Sequence, residues 1–263
     1  MKIGISTGCL YPMLTEECIS SLTNEGFNLF EIFFNTFSEL EDDYIDRLKY
    51  TLDSHNARVV SIHPFTSGFE SFLLFSDYER RFFDGVNLYE RYFHTAKRLG
   101  ADKVILHGLR SDYKPSFPDS TYFKRFQILS ERAKQYGIEL LQENVNMFRS
   151  NNPSFIKNMS EAIPDNAEFV FDIKQALKAQ VEPYELISVM GKGLKHIHIN
   201  DFSADNQCVL PGNEIGCFDF DRFFQYLKGI EYDGDVIIEV YRFSFDKISE
   251  LSKSYDFLKQ FCR

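Results

Sequence analysis

Four apolar runs in the second half of the chain each carry one cation-binding group near their C-terminal end. They are Leu140-Leu141-Gln142-Glu143, Phe169-Val170-Phe171-Asp172, Ile197-His198-Ile199 and Ile237-Ile238-Glu239-Val240-Tyr241. An ionisable group among branched and aromatic side chains is costly to bury unless something compensates it. Three carboxylates and an imidazole that converge compensate one another best through a cation. The donors are oxygen and nitrogen without thiolate, which suits one divalent ion, Mn²⁺ first, with Mg²⁺, Co²⁺ or Zn²⁺ as alternatives. Any one of these residues alone reads better as a salt bridge or hydrogen bond at a strand end; four at equivalent positions favour a metal site.

Convergence requires a scaffold that brings four strand ends together. Strands are expected at residues 3–7, 28–34, 58–63, 103–108, 138–144, 169–173, 194–200 and 237–241, from apolar runs bounded by turn residues. Helices alternate with them: one from Thr15, read as its N-cap, to Gly26, then 39–55, a third closing at Gly100, and 120–136 closing at Gly137. Others begin near Pro153 and Pro183, both suited to a first helical turn, and span 218–228 and 248–258. Eight strands alternating with about eight helices predict an α/β fold, a (β/α)₈ TIM barrel with a single domain over residues 1–263; an open doubly wound sheet is the runner-up. In a barrel, Glu143, Asp172, His198 and Glu239 all fall at the C-terminal face, where barrel chemistry sits. Strand periodicity puts Leu141 with Glu143, Val170 with Asp172, His196 with His198, and Ile237 with Glu239 on common faces. Two stretches break the rhythm. The Phe-rich segment 64–81 reads as an insertion that packs in the core, contacts a second subunit or folds over the mouth, and 201–216 reads as an irregular loop.

Composition narrows the function. The 263 residues include 44% hydrophobic and 26% charged residues with 14 glycines, the profile of an ordinary globule. A net charge of −10 opposes general attraction to nucleic acid or anionic lipid. Five cysteines without C-x-x-C spacing suggest neither a disulfide framework nor a thiolate zinc site, and a reducing cytoplasm fits them best. Met1-Lys2 leads directly into a strand, leaving no room for a signal peptide, and no run approaches transmembrane length. No Gly-rich phosphate-binding motif follows a strand, which weakens dinucleotide and nucleoside-triphosphate readings. The 28 phenylalanines, with no tryptophan, leave a homo-oligomer open.

In order along the chain, Leu-Gln-Glu143-Asn, Phe-Asp172-Ile-Lys-Gln, His-Ile-His198-Ile-Asn-Asp, Leu-Pro-Gly-Asn-Glu-Ile-Gly and Ile-Ile-Glu239 resemble the xylose isomerase-like barrel superfamily. That group includes sugar-phosphate isomerases, ketose 3-epimerases, inosose dehydratase and endonuclease IV. The resemblance spans essentially the whole chain. It implies that Glu143, Asp172, His198 and Glu239 hold one divalent ion and that Glu143 and Glu239 also exchange a substrate proton. The ion would polarise a carbonyl and stabilise the enediolate left when the α-proton departs. The expected activity is thus isomerisation or epimerisation of a small sugar, keto-sugar or sugar phosphate. A polyol dehydratase, an abasic-site nuclease and a non-catalytic sugar-binding barrel are the alternatives.

Three residues after Asp172, relatives commonly carry a histidine where this chain has Gln175, and residues 205–207 also lack the histidine of a trinuclear nuclease site. Gln175 is expected to hydrogen-bond a substrate hydroxyl. His63 and His107, which match extra-metal positions in endonuclease IV, are assigned to substrate; capped imidazoles at strand ends are the plainer reading. His55, His94 and His196 read as structural. Arg110 and Lys174 follow strand ends closely, as do Arg149 and Arg242, and are expected at the mouth as anion receivers, with solvated salt bridges as the competing expectation.

Overall fold

The computed structural model describes residues 1–262. The elements run β1 (Lys2–Ser6), α1 (Thr15–Asn24), β2 (Leu29–Phe33), α2 (Asp42–Ser54), β3 (Arg58–His63), α3 (Glu70–Leu73), α4 (Glu79–Leu99) and β4 (Lys103–Leu106). They continue with α5 (Asp119–Tyr136), β5 (Glu139–Glu143), α6 (Pro153–Ala162), β6 (Phe169–Asp172), α7 (Ile173–Lys178), α8 (Pro183–Met190) and β7 (Leu194–Ile199). The last are β8 (Asp201–Phe202), β9 (Cys208–Val209), α9 (Phe220–Gly229), β10 (Asp235–Ile238) and α10 (Ser249–Lys259). Eight parallel strands close in the order β1-β10-β7-β6-β5-β4-β3-β2, so the fold is the expected (β/α)₈ barrel and not the open sheet.

Local chemistry sets the helices. Tyr89, Tyr92, Phe93, Ala96 and Leu99 bury one face of α4, and Gly100 ends it with φ at +78°, a conformation cheap only for a residue without Cβ. Asn152 caps α6 by accepting from the Ser154 amide, with Pro153 in the first turn. Thr15 is not the N-cap of α1: it is the first helical residue, and its hydroxyl donates 3.1 Å to Glu39.

The outward faces of the strands meet these helices in an aromatic-rich core, with Phe30, Phe34, Phe93, Phe126, Phe169, Phe171 and Phe223 fully buried. Each such side chain contributes about 1.5–3 kcal/mol by leaving water. Within the barrel, Ile105, Leu141 and Val170 make a separate small apolar cluster. Gly4 lets Ile237 into this interior, since a Cβ there would lie 2.7 Å from Ile237 Cδ1 and from the Leu29 carbonyl.

Two departures from the expected elements lie at the mouth. Residues 201–216 contain a short antiparallel hairpin, β8 with β9. The Phe-rich segment is clamped from beneath: buried Glu70 accepts from the Gly108 amide and the Tyr89 hydroxyl, and Ser71 Oγ donates to the Gly108 carbonyl. Phe75 is buried, stacked on Tyr122, whereas Phe69 and Phe72 remain exposed.

Candidate metal centre

Parallel register carries the four predicted ligands to one level. Asp172 at the end of β6 pairs with His198 on β7, His198 pairs with Ile237 on β10, and Glu239 follows β10 directly. Glu143 ends β5, and Asn144 beside it fixes the spacing to β6 by accepting from the Asp172 amide at 2.7 Å and donating to the Asp172 carbonyl at 3.0 Å. One ligand atom from each of Glu143, Asp172, His198 and Glu239 lies within 4.8 Å of all the others. His198 Nδ1 sits among three carboxylates, 3.1 Å from Glu239 Oε2, 3.3 Å from Glu143 Oε1 and 3.7 Å from Asp172 Oδ2.

The donor set fits a divalent ion. Glu143 Oε2 and Asp172 Oδ2 are buried without a hydrogen-bond partner of good geometry, a costly state that a cation relieves. Asp172 Oδ1 already caps α7, accepting from the Gln175 amide at 3.0 Å, so Oδ2 is the oxygen left to bind. Lys174 supplies the nearest fixed positive charge, 3.1 Å from Glu239 Oε2 and 3.3 Å from Asp172 Oδ2.

Burial and charge oppose each other throughout the cluster. Burial would push Glu143 up, but His107, with His198 and His63, holds its carboxyl well below the usual range. Burial would lower His198, but Glu31 and Glu239 hold the imidazolium well above its ordinary value. For Asp172 burial wins and its carboxyl titrates higher than usual, despite Lys174. Lys174 itself is held protonated by Asp172 and Glu239 against its burial.

The other residues expected at the site separate into two groups. His63 and His107 do reach it: His107 Nε2 lies 2.9 Å from Glu143 Oε2 and His63 Nε2 3.6 Å, with the two ring nitrogens 3.1 Å apart. With Glu143 they form a second group close enough to hold an ion. Lys174 is buried beside the quartet instead of standing at the rim. Gln175 is engaged differently, its side-chain oxygen accepting 3.1 Å from the Asn146 amide and thereby pinning the loop after β5. Arg110 does not turn inward; its guanidinium forms two hydrogen bonds to Asp112, at 2.9 and 2.8 Å, on the surface. Arg149 pairs with Asp119, and Arg242 donates to the Phe245 carbonyl.

Glu31 on β2 is the participant that sequence reading passed over. Fully buried, it places Oε2 3.1 Å from His198 Nε2 and 3.3 Å from His196 Nε2, and accepts 2.8 Å from Ser61 Oγ. A carboxylate on Nε2 fixes the ring and leaves Nδ1 facing the quartet, the usual arrangement behind a metal-binding histidine. The signal was present in Leu29-Phe30-Glu31-Ile32-Phe33, a charge inside an apolar strand, as at the four ligands. His196, expected to be structural, is buried against the same carboxylate.

Solved structures share this architecture. A D-tagatose 3-epimerase-like protein is 24% identical with a TM-score of 0.78, covering 100% of this chain and 97% of that one. The 3-keto-D-glucoside 4-epimerase YcjR of E. coli is 18% identical with a TM-score of 0.77, covering 99% of each chain. The IolI protein, solved with a bound zinc atom, is 19% identical with a TM-score of 0.75, covering 100% of this chain and 96% of that one. At these identities the likeness establishes the fold. The family profile described as xylose isomerase-like TIM barrel matches residues 21–261, and the chain belongs to that family.

Proposed function

We propose that the protein is a divalent-metal-dependent isomerase or epimerase of a small sugar, keto-sugar or sugar phosphate. The observation that carries this reading is the buried quartet in which two glutamates approach one histidine nitrogen from different strands while Glu143 Oε2 and Asp172 Oδ2 lack a hydrogen-bond partner of good geometry. The likeness to a D-tagatose 3-epimerase-like protein and to a 3-keto-D-glucoside 4-epimerase, and the zinc in IolI, support it. Glu143, Asp172, His198 and Glu239 would hold the ion. When bound, the ion supplies Lewis-acid polarisation of a substrate carbonyl. Glu143 and Glu239 then act on the substrate, one taking the proton next to the carbonyl and the other returning it. Glu239, with a side chain 16% exposed, faces the mouth more openly than Glu143 at 2%. His63 and His107 hold Glu143 through its other carboxylate oxygen, Oε2.

The test is elemental analysis of purified protein, followed by incubation of the Mn²⁺-loaded enzyme with keto-sugars and their phosphates and NMR identification of products. One ion per chain with stereochemical inversion or carbonyl migration supports the proposal; turnover unaffected by stripping all metal refutes it. The group of His63, His107 and Glu143 favours a second reading, with a further ion beside the first, as in the endonuclease resemblance. Two or more tightly held ions per chain and cleavage of abasic duplex would establish that reading instead.

A further inference from the structure

We infer that a small anion-binding subsite adjoins the quartet and that the substrate is an acidic keto-sugar, carrying a carboxylate or phosphate beside its hydroxyls. The inference rests on the reading of the quartet as the metal and keto-sugar site, and it names the substrate class for that site. The subsite is a cavity of about 20 Å³ between α7 and the β8–β9 hairpin, bordered by Lys174, Lys178, Asn200, Asp201, Asn206 and Cys208. Its volume is that of about one water-sized group, so it admits the end of a ligand and not a whole sugar.

Three observations give it polarity. Asn200 follows β7 and is 1% exposed, yet neither its side-chain nitrogen nor its oxygen has a hydrogen-bond partner. A buried amide with both ends empty is costly, and it is relieved by a group that accepts one hydrogen bond and donates another. Lys174 and Lys178, one turn apart on α7, bring two ammonium groups to the same space, and both lie against the Tyr241 ring, at 5.0 and 4.6 Å from its centroid. Lys178 also donates 2.6 Å to the Tyr241 hydroxyl, which leaves further N–H groups to offer. The carboxylate on the cavity wall, Asp201, is already engaged: Oδ1 accepts from the amides of Phe202, Cys217 and Phe218.

Lys174 links this subsite to the quartet. Its ammonium shares Asp172 Oδ2 and Glu239 Oε2, the oxygens that Asp172 and Glu239 also direct toward His198. A divalent ion on the quartet would compete with the ammonium for these oxygens, and the adjoining open space bordered by Lys174 is the cavity. One anionic oxygen there would restore the lost pairing and accept from the lysines and the Asn200 amide. A neutral sugar would leave the Lys174 ammonium, once displaced from Asp172 and Glu239, without an anionic partner.

The experiment titrates ribitol, ribonate and ribitol phosphate calorimetrically into the protein with and without saturating Mn²⁺, comparing wild type with Lys178→Ala and Asn200→Leu. Lys178 makes no contact with the quartet, so the affinity for Mn²⁺, measured separately, should match wild type in Lys178→Ala. The expected result is that at least one of the two anions binds about tenfold or more tightly than ribitol to the Mn²⁺-loaded protein. That margin should shrink in Lys178→Ala and with added salt. Whichever anion shows the larger margin identifies carboxylate or phosphate as the group received. Equal affinity for all three probes, absence of binding by any of them, or a margin undiminished in Lys178→Ala overturns the subsite. Failure of Mn²⁺ to bind would overturn the metal reading instead, with the anion preference still read in the titrations without added ion.

Discussion

Replacing Glu31 by Gln tests whether His198, the imidazole proposed to bind the ion, is set from behind. The substitution keeps side-chain volume, so no cavity opens, but it removes a charge that faces His198 Nε2 at 3.1 Å, His196 Nε2 at 3.3 Å and Ser61 Oγ at 2.8 Å. It also introduces an amide NH₂ where Glu31 Oε1 already lacks a partner. A hydrogen bond to a charged group contributes about 1.5–3 kcal/mol, and loss of a carboxylate behind a ligating histidine weakens metal affinity about 10–100-fold. Two effects must be separated. Glu31 also holds His198 protonated, which opposes ion binding, so near neutral pH the substitution both loosens the ring and removes a competing proton. The comparison therefore belongs above the His198 titration, where only the first effect survives. Calorimetric titration with Mn²⁺ there should show the full weakening in Glu31→Gln, with partial recovery in Glu31→Asp if charge outweighs reach. Equal affinities in wild type and Glu31→Gln at that pH would refute a positioning role for Glu31.

The same charges predict that Mn²⁺ affinity rises with pH until the His198 proton, held above the ordinary imidazole range, is lost, and calorimetry in buffers of different ionisation enthalpy should detect proton release on binding. In protein without added ion the sign of the stability dependence differs by group. His198, raised by its carboxylates, stabilises fully below about pH 6.5 and loses that contribution as pH rises through its folded value. Glu31 and Glu143, held low, stabilise above about pH 4.3 and lose it as pH falls through theirs, so urea unfolding should give maximum stability between those limits. Burial pushes the Cys9 and Cys18 thiols up to about 12, whereas Cys217 is exposed; a disulfide reagent at pH 8 should label Cys217 quickly and reach Cys9 and Cys18 only on unfolding. Gly108→Ala should destabilise by about 1–3 kcal/mol in the same unfolding assay, because φ there is +87° and a Cβ would collide with the Tyr122 hydroxyl.

What could be read from sequence follows how locally each feature is determined. A carboxylate late in an apolar strand is a conflict visible in five residues, and barrel symmetry alone brings such positions to one face; hence Glu143, Asp172, His198 and Glu239 were found together. Glu31 carries the same conflict but sits mid-strand on the far side of the barrel, and its link to His198 depends on closure between β1 and β10. The α7 helix escaped because six residues hold less than two turns, too few to show helical periodicity. Arg110, expected at the mouth, pairs instead on the surface with Asp112 two residues on, because sequence position after a strand says nothing of side-chain direction. Lys174 was placed at the rim for the same reason; only the turn of α7 under the cap from Asp172 shows it folding back onto the quartet.

The most direct test of the account is solvent exchange at the substrate carbon. Wild-type enzyme loaded with Mn²⁺ is incubated with its keto-sugar in D₂O, alongside Glu143→Gln and Glu239→Gln, and deuterium is located by NMR. The account predicts deuterium next to the carbonyl with wild type, and a loss of turnover of at least ~100-fold in each variant, with one variant retaining wash-in to unconverted substrate if its remaining glutamate is the forward base. Wild-type turnover without deuterium incorporation at that carbon, even at low conversion, would contradict the assignment of Glu143 and Glu239 as the groups that carry the proton.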